Sequence, residues 1–116
     1  MREQIRDKNR LEHILVSIDN VFEFTEGITF EDYVADKKGK FAIVKNLEII
    51  GEAAYKLTNE FKIKHPEVNW GIIIKMRHVL VHGYYQIEDV IAWEIAQKDL
   101  QPLKEQIQNL YNNYTE

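Results

Sequence analysis

The sequence predicts an all-α, up-and-down bundle of four main helices with short extra helices, in one domain over residues 1–116. Three observations carry this reading. Apolar residues recur at three- and four-residue spacing along most of the chain, the period of one helical face. No polar–apolar alternation runs long enough to make a strand. Two prolines and five glycines in 116 residues leave room for few loops, and a chain of this length supports a single core.

The first helix is expected from about Glu3 to Phe24, with Leu11, Ile14, Leu15, Ile18, Val21 and Phe22 as its apolar stripe and Gly27 as its terminator. Thr29 to Asp36 reads as a short helix capped by Thr29, with Glu31 and Asp32 at the positive end of its dipole. Lys37-Lys-Gly-Lys40 reads as a turn. A third helix is expected from about Phe41 to Lys62: Ile43, Leu47, Ile50, Ala54, Leu57 and Phe61 step by 4, 3, 4, 3 and 4, and Phe41 and Val44 widen the face. Gly51 inside it suggests close approach by a neighbouring backbone. Asn46 and Glu52 lie beside this face, where periodicity favours solvation.

Pro66 disfavours helical geometry at His65 and closes the third helix. Asn69 is a good cap for a fourth that begins at Trp70. Ile72, Ile73, Ile74, Met76, Val79, Leu80 and Val81 surround nearly its whole circumference, so it is expected to be buried on most sides, with a partner chain covering the second face. A further helix is expected from about Glu88 to Gln97. Asp99 as cap and Pro102 in a first turn then mark a break and restart. Leu103, Ile107, Leu110, Tyr111 and Tyr114 give the last helix its stripe.

Composition excludes several classes of function. Without cysteine there is no disulfide scaffold and no thiolate metal or redox site, so the cytoplasm is the expected compartment. No apolar run approaches the roughly 20 residues of a membrane span, and the charged Met1-Arg-Glu-Gln-Ile-Arg-Asp7 lacks the apolar core of a signal peptide. A net charge of −4 argues against constitutive, tight nucleic-acid binding. It leaves open an enzyme acting through a local basic patch. Residues 62–82 carry Lys62, Lys64, His65, Lys75, Arg77, His78 and His82 against Glu67, although lysines at a solvated helix end give the same count.

The stretch Lys75-Met-Arg-His-Val-Leu-Val-His-Gly-Tyr-Tyr85 concentrates the chemistry, with Arg77, His82 and Tyr84 in the pattern R-x-x-x-x-H-x-Y. An arginine in so apolar a segment must be paired or turned to a cavity. Glu48 and Glu52 on the preceding helix are its candidate partners, and such a pair would aim the guanidinium, which is shaped to hold a phosphate. His82 beside Gly83 reads either as a helix C-terminal residue favoured by the dipole or as a proton-transfer group. With an arginine on the phosphate, that is the minimum equipment for RNA cleavage without a metal. On a regular helix Arg77 and His82 point about 140° apart. The site then needs a break at Gly83, completion across a symmetric interface, or both. His78 and His82 share a face at four-residue spacing, but no third ligand is evident and no metal site is expected. Tyr84 and Tyr85 read as packed aromatics or base-stacking rings. No glycine-rich phosphate loop and no serine or cysteine nucleophile arrangement is present.

These residues carry a resemblance. Asp7-Lys-Asn-Arg-Leu-Glu-His-Ile-Leu15, Asn46-Leu-Glu-Ile-Ile-Gly-Glu-Ala53, His65-Pro-Glu-Val-Asn-Trp70, Met76-Arg-His-Val-Leu-Val-His-Gly-Tyr84 and the tail from Asp89 through Trp93 to Asp99-Leu-Gln-Pro-Leu103 together resemble the HepT-like branch of the HEPN families, over nearly the whole chain. The resemblance implies a HEPN bundle, a homodimer, and a metal-independent endoribonuclease acting as the toxin of a type VII toxin–antitoxin pair. It implies that Arg77 and His82 are catalytic, with both copies facing a cleft at the dimer interface; Asn46, Glu48, Glu52 and His78 are the expected supporting residues. Many members carry asparagine directly after the arginine, where this chain has His78. The implied partner is a small MNT-type nucleotidyltransferase antitoxin, which in some pairs transfers AMP to the tyrosine, here Tyr84. ATP and magnesium then belong to the antitoxin, and no cofactor is expected in this chain. The alternative is a non-enzymatic helical subunit that binds a nucleotidyltransferase and helps present its substrate, a reading that net acidity favours.

Overall fold

The computed structural model describes residues 2–75 and 86–115. Among them every regular element is helical: α1 (Arg2–Thr25), α2 (Phe30–Ala35), α3 (Lys37–Lys56), α4 (Asn59–Lys64), helical residues 70–75 as α5, α6 (Gln86–Glu94), a π-helical turn (Ile95–Asp99) and α7 (Leu100–Asn112). The expected all-α class holds. α1 is central and packs against both α3 and α7. Asn20 bonds to Asn46 near one end of α1 and Asp7 to Thr58 near the other, so α1 and α3 run antiparallel. Lys104 meets Asp19 at 2.9 Å while Lys8 lies over the Tyr111 ring, so α7 is antiparallel to α1 as well.

The predicted stripe of α1 is the core. Leu11, Ile14, Ile18 and Val21 are fully buried, in one core with Ile43, Leu47, Ile50 and Ala54 of α3 and Leu100 and Ile107 of α7. Gly27, with a φ of 75°, turns the chain out of α1 in the left-handed region that favours glycine. Thr29 then starts α2 with a reciprocal capping box, its backbone N–H donating to Asp32 and its hydroxyl accepting from the Asp32 N–H.

Three boundaries differ from the sequence expectation. Lys37-Lys-Gly-Lys40 is the first turn of α3 and not a turn between helices, because Asp36 caps it by accepting from the Gly39 N–H at 3.0 Å. Phe41 is therefore a helical residue on the face opposite Ile43 and Ile50, and it is 63% exposed instead of widening the core.

The third helix expected over 41–62 is two helices. Asp7, 3% exposed, accepts from both the Thr58 N–H (2.8 Å) and the Thr58 hydroxyl (2.7 Å). Its carboxylate takes the N–H that would otherwise continue α3. The same hydroxyl accepts from the Phe61 N–H and caps α4. The ammonium of Lys62 donates to the freed carbonyls of Ala54 (3.3 Å) and Tyr55 (3.2 Å), a lysine closing a helix C-terminus.

Asp99 makes no side-chain capping bond, and the expected break there is a continuous helical path through the π turn, with the Leu100 N–H donating to the Ile95 carbonyl. Pro102 lacks an N–H and its ring crowds the carbonyl four residues back. Widening the turn just before it accommodates the proline without ending the helix.

α4 ends at His65, before Pro66, and the Trp70 indole N–H donates to the His65 carbonyl. Asn69 caps α5 as expected, accepting from the Ile72 N–H at 3.2 Å. Phe30 and Tyr33 of α2 pack on Trp93 of α6, and Lys40 bridges to Asp89 at 3.3 Å.

Replacing Asp7 by alanine removes two bonds to a charged acceptor and strands the Thr58 N–H, so a loss of about 2–4 kcal/mol is expected in urea unfolding. Ile63→Ala, at a position 76% exposed, should change stability by less than about 0.5 kcal/mol.

Burial holds the Lys62 ammonium below the usual lysine range against the attraction of the Asp7 carboxylate. The unfolded chain therefore binds more protons than the folded one just below the ordinary lysine pKa. Lys62 consequently contributes more to stability as pH rises through that window. The stability of the wild type minus that of Lys62→Met should climb as pH rises toward the ordinary lysine pKa of about 10.4, as read from urea midpoints.

Candidate active site

Arg77, His78, His82 and Tyr84, together with the expected break at Gly83, lie outside the described residues. The described part of the site is α3 and the start of α5, on which the motif follows. Ile73 is buried while Ile72 is 65% exposed, so α5 begins with apolar side chains on two faces, in keeping with the sequence pattern.

The three residues of α3 expected to support the site divide between two faces of that helix. Asn46 is 9% exposed and is not solvated as periodicity suggested. Its side-chain oxygen accepts from the Asn20 amide at 3.1 Å and its own amide donates to the Ala42 carbonyl at 2.8 Å. It is thereby committed to the α1–α3 contact. Glu48 and Glu52, one turn apart, share the other face. Glu48 is half-buried with Lys45 at 3.9 Å, and Glu52 bonds to Lys56 at 3.0 Å. These are the carboxylates the sequence places opposite Arg77.

The basic stretch beginning at Lys62 is partly an internal device. Lys62 closes α3. Lys64 pairs with Glu60 at 3.5 Å, and His65, tilted over the Phe61 ring, meets Glu67 at 3.2 Å. The Lys64–Glu60 pair offsets one cation that a charge count credits to a nucleic-acid surface. Lys75 is exposed.

A different cationic cluster was not singled out from sequence. Arg10 and His13 of α1 and Lys56 of α3, with Ile49, Glu52 and Ala53, line a groove of about 190 Å³ between the two helices. Its only sequence signal is the three-residue spacing of Arg10 and His13, since Lys56 joins them through the antiparallel packing. A larger pocket of about 330 Å³ lies where α1, α4 and α7 meet, lined by Asp7, Phe61, His65 and Tyr114 among others. Of its three acids, Asp7 is taken by Thr58, Glu60 pairs with Lys64 and Glu67 meets His65.

Among the described residues no group of three histidine, aspartate or glutamate side chains is placed to hold a metal ion. No helix among them is long and apolar enough to cross a membrane.

Comparison with known proteins matches the chain, over residues 14–110, to the family described as Ribonuclease HepT-like. Among curated proteins it is 40% identical over 103 residues to "Probable ribonuclease HepT" of Thermococcus cleftensis, covering 89% of this chain and 94% of that protein. Two others carry the name putative RNase. One, of Caldanaerobacter subterraneus, is 41% identical over 86% of this chain and 89% of its own length. The other, of Methanocaldococcus jannaschii, is 34% identical over 82% and 87%. No solved structure matches the chain.

Proposed function

Because the chain belongs to the HepT-like ribonuclease family, we propose that it is a metal-independent endoribonuclease and the toxin of a two-component pair. The observation that carries this is the motif Arg77-x-x-x-x-His82-x-Tyr84 standing inside the segment that the family matches. Two copies associate through the face that begins with exposed Ile72 and bring their motifs together in one cleft.

Arg77 holds the non-bridging oxygens of the scissile phosphate and offsets the charge that builds there. His82 takes the proton from a ribose 2′-hydroxyl, whose oxygen attacks phosphorus. The bond from phosphorus to the 5′-oxygen breaks, and that oxygen receives a proton from an imidazolium. The products are a 2′,3′-cyclic phosphate and a free 5′-hydroxyl. With two histidines in the cleft, one serves as base and the other as acid. Glu48 or Glu52 aims the guanidinium. A nucleotidyltransferase antitoxin, using its own ATP and magnesium, transfers AMP to Tyr84 and fills the cleft with an anion that repels RNA.

The second reading, a non-enzymatic partner of a nucleotidyltransferase, is favoured by the net charge of −4 and by the internal pairing of Lys64 and His65. The two readings separate on activity. Purified chain should cut tRNA or mRNA in the presence of EDTA, and Arg77→Ala and His82→Ala should each lower the rate by at least about 100-fold. Intact RNA, or cutting unchanged in His82→Ala, would sink the ribonuclease reading. Expression without its partner should arrest growth, and Arg77→Ala should abolish the arrest. Light scattering at micromolar concentration should give the mass of a dimer; a monomer contradicts the shared cleft.

A further inference from the structure

The groove between α1 and α3 has a feature its packing does not explain. Arg10 Nε is buried and has no hydrogen-bond partner among the described residues. Arg10 also lines the groove, so an acceptor that enters it meets the positive charge of that guanidinium. The residues around it define what that acceptor is. Arg10 and Lys56 are fixed cations, and His13 adds a ring N–H that donates even in the neutral imidazole. The one acid lining the groove, Glu52, is held by Lys56 at 3.0 Å. Arg6, one turn before Arg10 on α1, is exposed and extends the positive rim.

We propose that this groove is a phosphate-binding subsite for the RNA backbone, separate in sequence from the Arg77–His82 motif. The inference rests on the ribonuclease reading for its substrate. A phosphodiester fits the chemistry on the page: it has a single charge, and its two non-bridging oxygens suit a guanidinium fork. At about 190 Å³ the groove holds the phosphate alone, and ribose and base lie along its rim beside the partly exposed Ile49. Nothing here reads base identity, so the subsite adds affinity and register without sequence preference. It lets a chain of net charge −4 hold RNA by cations placed locally.

The test measures binding of a short labelled single-stranded RNA by fluorescence anisotropy, using full-length chain that carries His82→Ala so that the RNA is not consumed. Into this parent are introduced Arg10→Gln, Lys56→Gln and both together. Each single change should weaken binding about five- to tenfold at low salt, and should flatten the dependence of log affinity on log salt by about 0.7 per lost phosphate contact. In the cleaving background Lys56→Gln should raise KM and leave kcat unchanged. Lys56→Glu, on an exposed helical position, reverses charge without touching the core and should weaken binding further with an unchanged circular dichroism spectrum. A double variant that binds with the affinity and salt slope of its parent overturns the subsite and leaves the ribonuclease reading standing. A wild-type chain that neither binds nor cuts RNA overturns both.

Discussion

The buried carboxylate of Asp7 sets the geometry on which the second half of the molecule depends. By taking both the N–H and the hydroxyl of Thr58, it fixes where α3 stops and α4 starts, fifty-one residues away in sequence. Two consequences follow from one acceptor. The end of α3 loses its next backbone bond and is closed by Lys62, and Thr58 is oriented to cap α4. From there the path is short and well pinned: α4 delivers His65, whose carbonyl accepts from the Trp70 indole, and Asn69 launches α5. The start of α5 is therefore positioned by a residue of α1. A carboxylate with both oxygens bonded can sit inside a core, since its desolvation is offset by charge-assisted bonds.

The helices were legible in the sequence wherever a stripe of large aliphatic residues repeats, because burial depends on period alone. Leu11 to Val21 and Ile43 to Phe61 were assigned to the core from spacing and are buried. Boundaries were legible where the signal is local. Thr29, Gly27 and Asn69 act within a few residues of themselves, and each does what its type predicts. They were illegible where the deciding partner is distant. Nothing near Thr58 announces a helix break, since Asp7 supplies it. Asp36 was overlooked because it ends one helix and caps the next, so that Lys37-Lys-Gly-Lys40 looked like a linker. Pro102 was read as a restart, though a single widened turn absorbs it.

Polar residues were the harder class. Periodicity sends Asn46 to solvent, but Asn20 lies opposite it and the two amides satisfy each other. A charge count assigns Lys62 to a basic patch, but the Ala54 and Tyr55 carbonyls at the end of α3 claim it. The basic residues of the groove go the other way: Arg10, His13 and Lys56 are scattered in sequence and become a cluster only when antiparallel helices bring residue 10 beside residue 56. A count along the chain therefore gives weight to residues such as Lys62 that close a helix and misses basic residues that only the packing of α1 on α3 brings together. The motif itself was legible because Arg77, His82 and Tyr84 are close in sequence and need no folding to be noticed.

Net charge alone does not choose between an RNA-cutting enzyme and a non-enzymatic subunit. A total of −4 acts over distances that salt screens beyond about 8 Å, whereas a phosphate in a groove is held by donors about 3 Å away. In a symmetric dimer the total doubles while each groove keeps its own cations. Approach of a polyanion is then slowed over most of the surface and favoured at the few places where positive groups are grouped and lack internal partners. A catalytic cleft and a separate backbone subsite would be such places. An acidic chain organised in this way suppresses indiscriminate binding along RNA, because every register that does not engage the local cations meets like charge. For a ribonuclease, whose substrate is abundant, that combination of a repelling surface and local capture points is a physical advantage, and it makes the negative total compatible with the family to which the chain belongs.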